Sequence, residues 1–248
     1  MKSLVIMPFY NEGDISKIYS QEIISTFVKA SDFQFDFLLV DDDSSDNTYQ
    51  MLKEVSDLNS NVIIKKNKNN YGHGRTVVES YQYAVENKYK ITVQIDGDNA
   101  GDPESIIKMI KYAFAENLDV CLATRMRRPD NIIRKIITRV LFLNLFLLYG
   151  VKSNDSNVGI RFMKVSFLEK INLNFLKTLL IPNACITAFA YSKKFKVANY
   201  PVIMRNNLRP QRPGEQWGSG NSLKSVYKLL KGSAKCLIEV NTAFRKIM

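Results

Sequence analysis

The sequence is poor in the residues that mark several protein classes. Its 248 residues include only three cysteines, one histidine and one tryptophan. The cysteines, Cys121, Cys185 and Cys236, are odd in number and far apart, so they indicate neither a disulfide framework nor a zinc site, and they predict a reduced, cytoplasmic setting. His73 lies between two glycines, and we expect it at the surface or beside a substrate and not as a catalytic base.

Long apolar runs are also missing. The N-terminal apolar run ends at Pro8 and is too short for a signal peptide. The most apolar stretch, residues 134–150, is interrupted by Arg139 and Asn144, and its continuous part is about half of the ~20 residues that a spanning helix needs. We therefore expect a soluble or peripheral protein, in which this stretch forms either a core helix or an interfacial one.

Two nucleotide-binding signatures are absent. No G-x-G-x-x-G follows the first predicted strand, and Gly72-His-Gly74 is too sparse to replace it. No G-x-x-x-x-G-K-[ST] occurs either. These absences argue against a Rossmann dinucleotide site and against a P-loop NTPase.

Positive charge is plentiful and concentrated near the C-terminus. The net charge is +11, and residues 201–248 hold nine lysines and arginines against two glutamates. Such a charge favours nucleic acid, phosphate-bearing substrates or an acidic membrane surface without choosing among them. The basic stripe Lys224, Lys228, Lys231 and Lys235 falls on one helical face beside apolar residues, which suits either an anionic membrane surface or a solvated face.

Runs rich in Val, Ile, Leu and Phe alternate with stretches of helical periodicity. We predict strands at residues 3–7, 35–40, 62–64, 91–95 and 120–124, and helices between them. The predicted apolar helix faces include Ile18, Val28 and Leu58. This alternation predicts an α/β fold with a doubly wound, mostly parallel sheet and helices on both faces. The 46% hydrophobic composition allows one large domain or one domain with an appendage.

Acidic loops follow three of the predicted strands, at residues 10–12, 41–43 and 96–98. The carboxyl ends of parallel strands meet at one edge of a sheet, so these loops converge on one site. Gly97 allows the turn that directs Asp96 and Asp98 the same way, and paired carboxylates suit Mg²⁺ or Mn²⁺ held together with substrate phosphates. The alternatives are an ordinary Asp-Gly surface turn at 96–98 and a helix N-terminus stabilised by acids at 41–43.

The order of these motifs resembles a known family. Pro8-x-Tyr-Asn-Glu12, Val40-Asp-Asp-x-Ser44, Asn70-x-Gly72-x-Gly74 and Asp96-Gly-Asp98 are similar to successive signatures of the family 2 inverting glycosyltransferases of the GT-A fold. Pro103, Arg125 and Asp155-x-x-x-Gly159-x-Arg161 resemble the branch that uses dolichyl phosphate and undecaprenyl phosphate. The resemblance covers residues 3–205, which gives a glycosyltransferase domain at 1–205 and a flexible loop with a basic amphipathic helix at 206–248.

The resemblance implies roles for individual residues. The base and ribose would be lined by Pro8, Tyr10, Glu12, Val40, Asp41 and Asp42. Asp96 and Asp98 would hold the divalent ion at the diphosphate, with Asp96 also touching the nucleotide and Asp98 counted as catalytic. Arg125 would neutralise phosphate or position the acceptor, unless it is merely an exposed arginine at a strand end. Asp155 would lie near the acceptor, and Arg161 and Arg205 would bind the acceptor phosphate.

Two positions depart from the family pattern. Asp43 stands where many relatives have glycine or asparagine, which would crowd or recharge the nucleotide loop. Asn99 stands where relatives can lend a glutamine to the metal. Neither departure removes a residue of the paired-acid motif.

Three functions compete at this stage. The first is metal-dependent transfer of a sugar from a nucleoside-diphosphate sugar to a polyprenyl phosphate at the inner face of a membrane. The second keeps the donor chemistry but uses a glycan hydroxyl as acceptor, as in polysaccharide biosynthesis. The third is a non-catalytic protein that binds a nucleotide sugar; a nucleic-acid partner is disfavoured because the basic tail has few interleaved aromatics, namely Trp217, Tyr227 and Phe244.

Overall fold

The computed structural model describes residues 2–30, 33–98, 100–126, 132–153 and 155–205, together with residues 238 and 242. The predicted basic stripe, the loop before it, Asn99 and Cys236 lie outside these residues. Seven strands form one sheet: β1 (Ser3–Phe9), β2 (Phe35–Asp41), β3 (Val62–Lys66), β4 (Ile91–Ile95), β5 (Val120–Met126), β6 (Ile160–Lys164) and β7 (Val197–Ile203).

Eight helices connect these strands in the described part of the chain. They are α1 (Asp14–Ala30), α2 (Thr48–Leu58), α3 (His73–Glu86), α4 (Pro103–Ala115), α5 (Ile132–Tyr149), α6 (Val165–Leu168), α7 (Leu173–Leu176) and α8 (Pro182–Ser192). Helix α4 begins as its sequence predicts, because the Asp102 side chain accepts from the Ser105 amide at 2.9 Å and Pro103 occupies the first turn.

The order of strands in the sheet is β3-β2-β1-β4-β6-β5-β7. Every pairing is parallel except those of β6, which runs antiparallel to both β4 and β5. The strand order reverses between β1 and β4, and a crevice opens at such a switch point beyond the carboxyl ends of the strands. The loops that follow β1 and β4 carry two of the three predicted acidic motifs.

The helices form two groups that contact different neighbours. Helix α1 packs on α2 and α4, whereas α3 packs on α6, α7 and α8, and α5 packs on α8. A single buried core of strand and helix side chains runs between them. The predicted fold class is confirmed, but the predicted apolar faces were wrong at three positions: Ile18, Val28 and Leu58 are 61%, 64% and 74% exposed. Tyr19 and Ile23 fill the α1 interface instead.

Candidate functional site

An open cleft of about 400 Å³ lies at the carboxyl ends of β1 and β4. It is lined by Pro8, Phe9, Tyr10, Glu12, Asp42, Asn70, Gly72, His73, Thr76, Asp96, Gly97 and Asp98. The structure thus brings together residues from all of the motifs between Pro8 and Asp98. No lysine or arginine is among these described lining residues, so the cleft is acidic.

The turn at 96–98 is held against the first strand. The Gly97 amide donates to the Pro8 carbonyl at 3.2 Å. A Cβ atom on Gly97 would lie 2.4 Å from the Phe9 ring and 2.6 Å from the Pro8 carbonyl, so only glycine allows this approach. Gly97 is therefore needed for close packing of the turn on β1, which places both Asp96 and Asp98 at the cleft.

The loop after β1 is anchored to the loop after β2. The Asn11 amide donates to Ser44 Oγ at 2.9 Å, and the Glu12 and Gly13 amides both donate to Thr48 Oγ1 at 2.8 Å. These bonds leave Tyr10 41% exposed at the cleft. An exposed aromatic ring and a carboxylate are the groups that would stack on a base and accept from base or ribose donors.

The three acids at the end of β2 and just after it, Asp41, Asp42 and Asp43, have different environments. Asp42 lines the cleft, and its carboxylate accepts from Asn67 Nδ2 at 2.7 Å and from the Tyr71 and Gly72 amides, both at 2.9 Å. Asp42 thereby fixes the loop that leads into α3. Asp43 has φ +60°, a conformation that glycine and asparagine adopt readily, which explains why those residue types suit this position.

Val40 and Asp41 do not line the cleft, although we expected them to contact the nucleotide. Val40 is 3% exposed and Asp41 is fully buried. Burial raises the pKa of Asp41, while hydrogen bonds from Ser44 and the charge of Lys66 act in the opposite direction. In this structure the two residues shape the loop from beneath and leave the cleft surface to Asp42.

The predicted acceptor residues Arg125 and Asp155 meet at the end of β5. Arg125 Nε lies 2.9 Å from Asp155 Oδ2, and the side chains are 29% and 17% exposed. Arg125 is therefore held by a carboxylate and is not a free exposed arginine at a strand end. Neither residue lines the cleft.

The other two predicted acceptor residues have different contacts from those expected. Arg161 is fully buried, and its guanidinium donates to the carbonyls of Ser156, Val158 and Asn183 at 2.7–3.3 Å. Burial lowers the pKa of Arg161, while the negative charges of Asp96 and Asp155 act to raise it. A guanidinium enclosed in this way does not contact an acceptor, and the sequence-based role of Arg161 is corrected to a structural one.

Arg205 forms a bidentate ion pair with a carboxylate of α1. Its Nη1 and Nη2 atoms lie 2.6 and 2.8 Å from the Glu22 carboxylate, and Nη2 lies 3.1 Å from Asp102 Oδ1. These contacts raise the pKa of Arg205 and fasten the end of β7 to α1 and α4. Arg205 is thus a clamp between elements in this structure, and its contact with an acceptor phosphate stays a prediction.

The paired acids fit a hard divalent ion. Asp96 and Asp98 both reach the cleft, and Mg²⁺ is typically bound through one or two carboxylates with the remaining positions left to water and substrate phosphates. Among the described residues no group of three or more His, Cys, Asp or Glu side chains forms a complete metal cage. A site completed by phosphate oxygens needs only the two carboxylates.

Several cleft residues were not assigned a role from the sequence. Asn70 and Thr76 line the cleft, and His73 lies there with Nε2 3.5 Å from Asp96 Oδ1. His73 is 54% exposed, which agrees with the expected surface position. Asn70 belongs to the Asn-x-Gly motif, so that signal was present, whereas Thr76 had none because it falls on the buried face of α3.

Comparison with curated proteins gives relatives that act on lipid phosphates by name. Undecaprenyl-phosphate 4-deoxy-4-formamido-L-arabinose transferase of Pectobacterium carotovorum is 28% identical over 138 residues, which are 55% of this chain and 41% of the relative. The match therefore spans less than half of that relative's length. UDP-N-acetylglucosamine–dolichyl-phosphate N-acetylglucosaminyltransferase of Methanococcus voltae is 26% identical over 186 residues, 68% of this chain and 71% of the relative.

Solved structures share the fold at low identity. Glucosyl-3-phosphoglycerate synthase of Mycobacterium tuberculosis, solved with Mn²⁺, UDP-glucose and phosphoglyceric acid, superposes with a TM-score of 0.64 at 14% identity, over 97% of this chain and 80% of that one. Mannosyl-3-phosphoglycerate synthase of Rubrobacter xylanophilus gives 0.66 at 14% identity, over 99% and 75%. These neighbours are GT-A glycosyltransferases, which confirms the fold.

None of the described helices is both long and apolar enough to cross a membrane.

The family follows from a match over most of the chain. The model of the family described as "Glycosyl transferase family 2" matches residues 4–195. That range contains the whole cleft and both members of the Arg125–Asp155 pair. The chain belongs to glycosyl transferase family 2.

Proposed function

We propose that the protein transfers a sugar, with inversion, from a nucleoside-diphosphate sugar to a polyprenyl phosphate, with Mg²⁺ or Mn²⁺ bound at Asp96 and Asp98. We place the reaction at the inner face of a membrane, where the protein binds peripherally. The observation that carries the proposal is the placement of two carboxylates in an acidic cleft at the switch point of the sheet. Support also comes from relatives named for transfer to undecaprenyl and dolichyl phosphates.

The donor half of the proposal rests on the charge of the cleft. A nucleoside diphosphate is an anion, and it would be repelled by Glu12, Asp42, Asp96 and Asp98 unless a cation lay between them. A bound divalent ion would supply that cation and would neutralise the charge that develops on the leaving diphosphate. Tyr10 and Glu12 would then hold the nucleoside at the other end of the cleft.

The acceptor half rests on helix α5. Five apolar side chains in its described part are exposed, and all except Leu148 lie on one side of the helix: Val140, Leu143, Phe146 and Leu147. Leu145 on the opposite side is fully buried. A helix that hides one side and exposes an apolar stripe on the other suits the boundary of a lipid bilayer, because the stripe is removed from water there.

In the sequence, the stripe lies between the two members of the Arg125–Asp155 pair. Helix α5 begins seven residues after Arg125 and ends six residues before Asp155, and these two side chains lie 2.9 Å apart. The segment that carries the stripe therefore leaves from and returns to the pair. A lipid whose chain follows α5 would have its phosphate near Arg125, which offers a charge-assisted hydrogen bond.

The contacts of Asp155 favour a phosphate over a hydroxyl acceptor. A sugar hydroxyl needs a base to take its proton, whereas a phosphate monoester with a second pKa of about 6 already carries charge on oxygen at pH 7. Asp155 Oδ2 lies 2.9 Å from Arg125 Nε, so this oxygen already faces a guanidinium and not an acceptor hydroxyl. The glycan alternative lacks a comparable observation.

The proposal is tested by supplying donors and acceptors separately. The protein is incubated with Mn²⁺ or Mg²⁺ and a panel of UDP- and GDP-sugars, each with and without polyprenyl phosphate, and release of nucleoside diphosphate is measured. We expect release with one donor to require polyprenyl phosphate, and the sugar to appear in the lipid fraction. Release that is supported by a glycan and unaffected by polyprenyl phosphate would contradict the acceptor assignment.

A further inference from the structure

Gln94 is a buried amide in a strand that is otherwise apolar apart from Thr92. Strand β4 reads Ile-Thr-Val-Gln-Ile and all five residues are buried, Gln94 completely. Side chains two apart in a strand lie on the same face, so Thr92 and Gln94 share a face that leads toward Asp96. An amide in such a place costs free energy unless it is fully hydrogen-bonded.

Each end of the Gln94 amide has partners of defined polarity. Its Oε1 accepts from Tyr81 Oη at 2.5 Å and from Asn183 Nδ2 at 3.2 Å. Burial raises the pKa of Tyr81, so the phenol keeps the proton that it donates. The ionised Asp96 carboxylate can only accept, so the amide nitrogen faces it and donates to Asp96 Oδ1 at 2.9 Å.

A second contact holds the other oxygen of Asp96. A Cβ atom added to Gly159 would lie 1.7 Å from Asp96 Oδ2, so the carboxylate lies directly against the backbone there. Gly159 is fixed in turn because Arg161 donates to the neighbouring Val158 carbonyl at 2.7 Å. Arg161 also donates to the Asn183 carbonyl at 3.2 Å, which joins both supports of Asp96 in one buried network.

We propose that Gln94 is a positioning residue for the divalent ion: it holds the Asp96 carboxylate in the orientation in which Asp96 binds metal, and Tyr81 and Asn183 hold Gln94. The inference rests on the proposed metal site and deepens it. Groups that hydrogen-bond to a metal ligand fix its direction, and their loss typically costs about 10–100-fold in metal affinity. The buried Arg161 then acts through this network and not on a substrate.

The test measures metal binding, not turnover. Mn²⁺ affinity is determined by the electron paramagnetic resonance signal of free Mn²⁺, in separate titrations with UDP and with GDP present, for wild type and Gln94→Met. Methionine keeps the length and volume of glutamine but cannot donate to Asp96. We expect Gln94→Met to bind Mn²⁺ about 10–100-fold more weakly, with its nucleotide-free unfolding transition still cooperative.

Thr92→Val provides the matched control. It also replaces a buried polar group by an apolar one on the same face of β4, but the Thr92 hydroxyl donates to the Met163 carbonyl, at 3.4 Å, and not to Asp96. We expect wild-type Mn²⁺ affinity in this variant. An equal loss in Thr92→Val and Gln94→Met would mean that any polar loss in β4 weakens the site, and would overturn the specific role of Gln94.

Tyr81→Phe tests the network without touching Gln94 itself. It removes a hydroxyl that donates to Gln94 Oε1 but does not line the cleft. We expect a smaller loss of Mn²⁺ affinity than in Gln94→Met. If Gln94→Met does not fold, unchanged Mn²⁺ binding in Tyr81→Phe overturns the proposal. Wild-type Mn²⁺ affinity in a folded Gln94→Met overturns it while leaving the metal site standing, whereas failure of the wild type to bind Mn²⁺ with either nucleotide removes the metal site itself.

Discussion

The carboxylates in the cleft between β1 and β4 and the carboxylate at the end of β5 have different charged neighbours. No lysine or arginine is among the described residues that line the cleft, although four carboxylates are there. At the end of β5, by contrast, Asp155 is held by Arg125 at 2.9 Å and lies within range of Arg161. The acidic cleft requires an added cation before it binds a diphosphate. Asp155, in contrast, already has a cation beside it and can hold the Arg125 side chain in place.

The largest expected effect removes the cation from the cleft. Asp98→Ala, or chelation with EDTA, should lower transfer by more than about a hundredfold, because the developing charge on the leaving group loses its neutralising partner. Asp57→Ala, an exposed aspartate on α2, is the control and should keep wild-type activity. Sugar transfer at an undiminished rate in EDTA would show that the acidic cleft needs no added cation.

A second experiment breaks the pair at the end of β5. Arg125→Gln should lower kcat/KM for polyprenyl phosphate by about 10–100-fold, the value of a hydrogen bond to a charged group. Binding of the Mn²⁺–nucleotide complex should not change, because Arg125 does not line the cleft. Arg75→Gln is the matched control: Arg75 also pairs with a carboxylate, Glu79 at 2.8 Å, but is exposed on α3. If Arg125→Gln impaired nucleotide binding instead, the division into donor and acceptor regions would fail.

The exposed stripe on α5 gives a third and smaller effect. Leu143→Glu with Leu147→Glu should weaken sedimentation with anionic liposomes by at least about tenfold, since burying one leucine contributes about 1.5–3 kcal/mol. Both side chains are more than half exposed, so the unfolding temperature should hardly change. Leu58→Glu, on α2 and 74% exposed, controls for the loss of any surface leucine. An equal loss of liposome sedimentation in Leu58→Glu, or no loss in the double variant, would contradict membrane binding through α5.

The smallest effect concerns the buried acid beneath the cleft. Burial raises the pKa of Asp41, so the stability gained by protonation is present at low pH and is lost as the pH rises through the folded-state pKa. Asp41→Asn should therefore raise the unfolding temperature at pH 7–8, and the gain should vanish below about pH 3.9, the unfolded value. Asp57→Asn should show no such pH-dependent gain. A destabilised Asp41→Asn at neutral pH would show that the charge of Asp41 contributes to folding.

Local sequence patterns predicted the first half of the fold well. Strand β4 and the capped start of α4 follow directly from Val, Ile and Thr content and from Asp102-Pro103. The predicted faces failed at Ile18, Val28 and Leu58 because periodicity locates an apolar stripe but does not show how wide the neighbouring layer is. Strand β6 was not predicted, and its antiparallel direction depends on pairing with β4 and β5, which are far away in sequence.

The candidate site divides in the same way. Cleft residues that lie in short motifs, such as Tyr10, Asp96 and Asp98, were recognisable because each motif follows a strand. The support around Asp96 was not recognisable, because Gln94 meets Asn183 across 89 positions of sequence. Arg161 illustrates the converse, since a motif identified it while only the structure showed that carbonyls accept from its guanidinium group. Arg205 lay outside the motifs, and only the structure showed that its guanidinium group pairs with Glu22.

The central claim is that a charged phosphate attacks without help from a base, and the pH dependence of Asp155→Asn tests it most directly. Rates with polyprenyl phosphate are measured from pH 5.5 to 8.5 for wild type and Asp155→Asn, with the donor saturating. We predict that both enzymes lose rate in the same way as the pH falls through the phosphate pKa of about 6, and that the variant is slower throughout because Arg125 has lost its partner. A fall in rate at acidic pH that is present in the wild type but absent in Asp155→Asn, together with efficient use of a hydroxyl acceptor by the wild type, would contradict the claim.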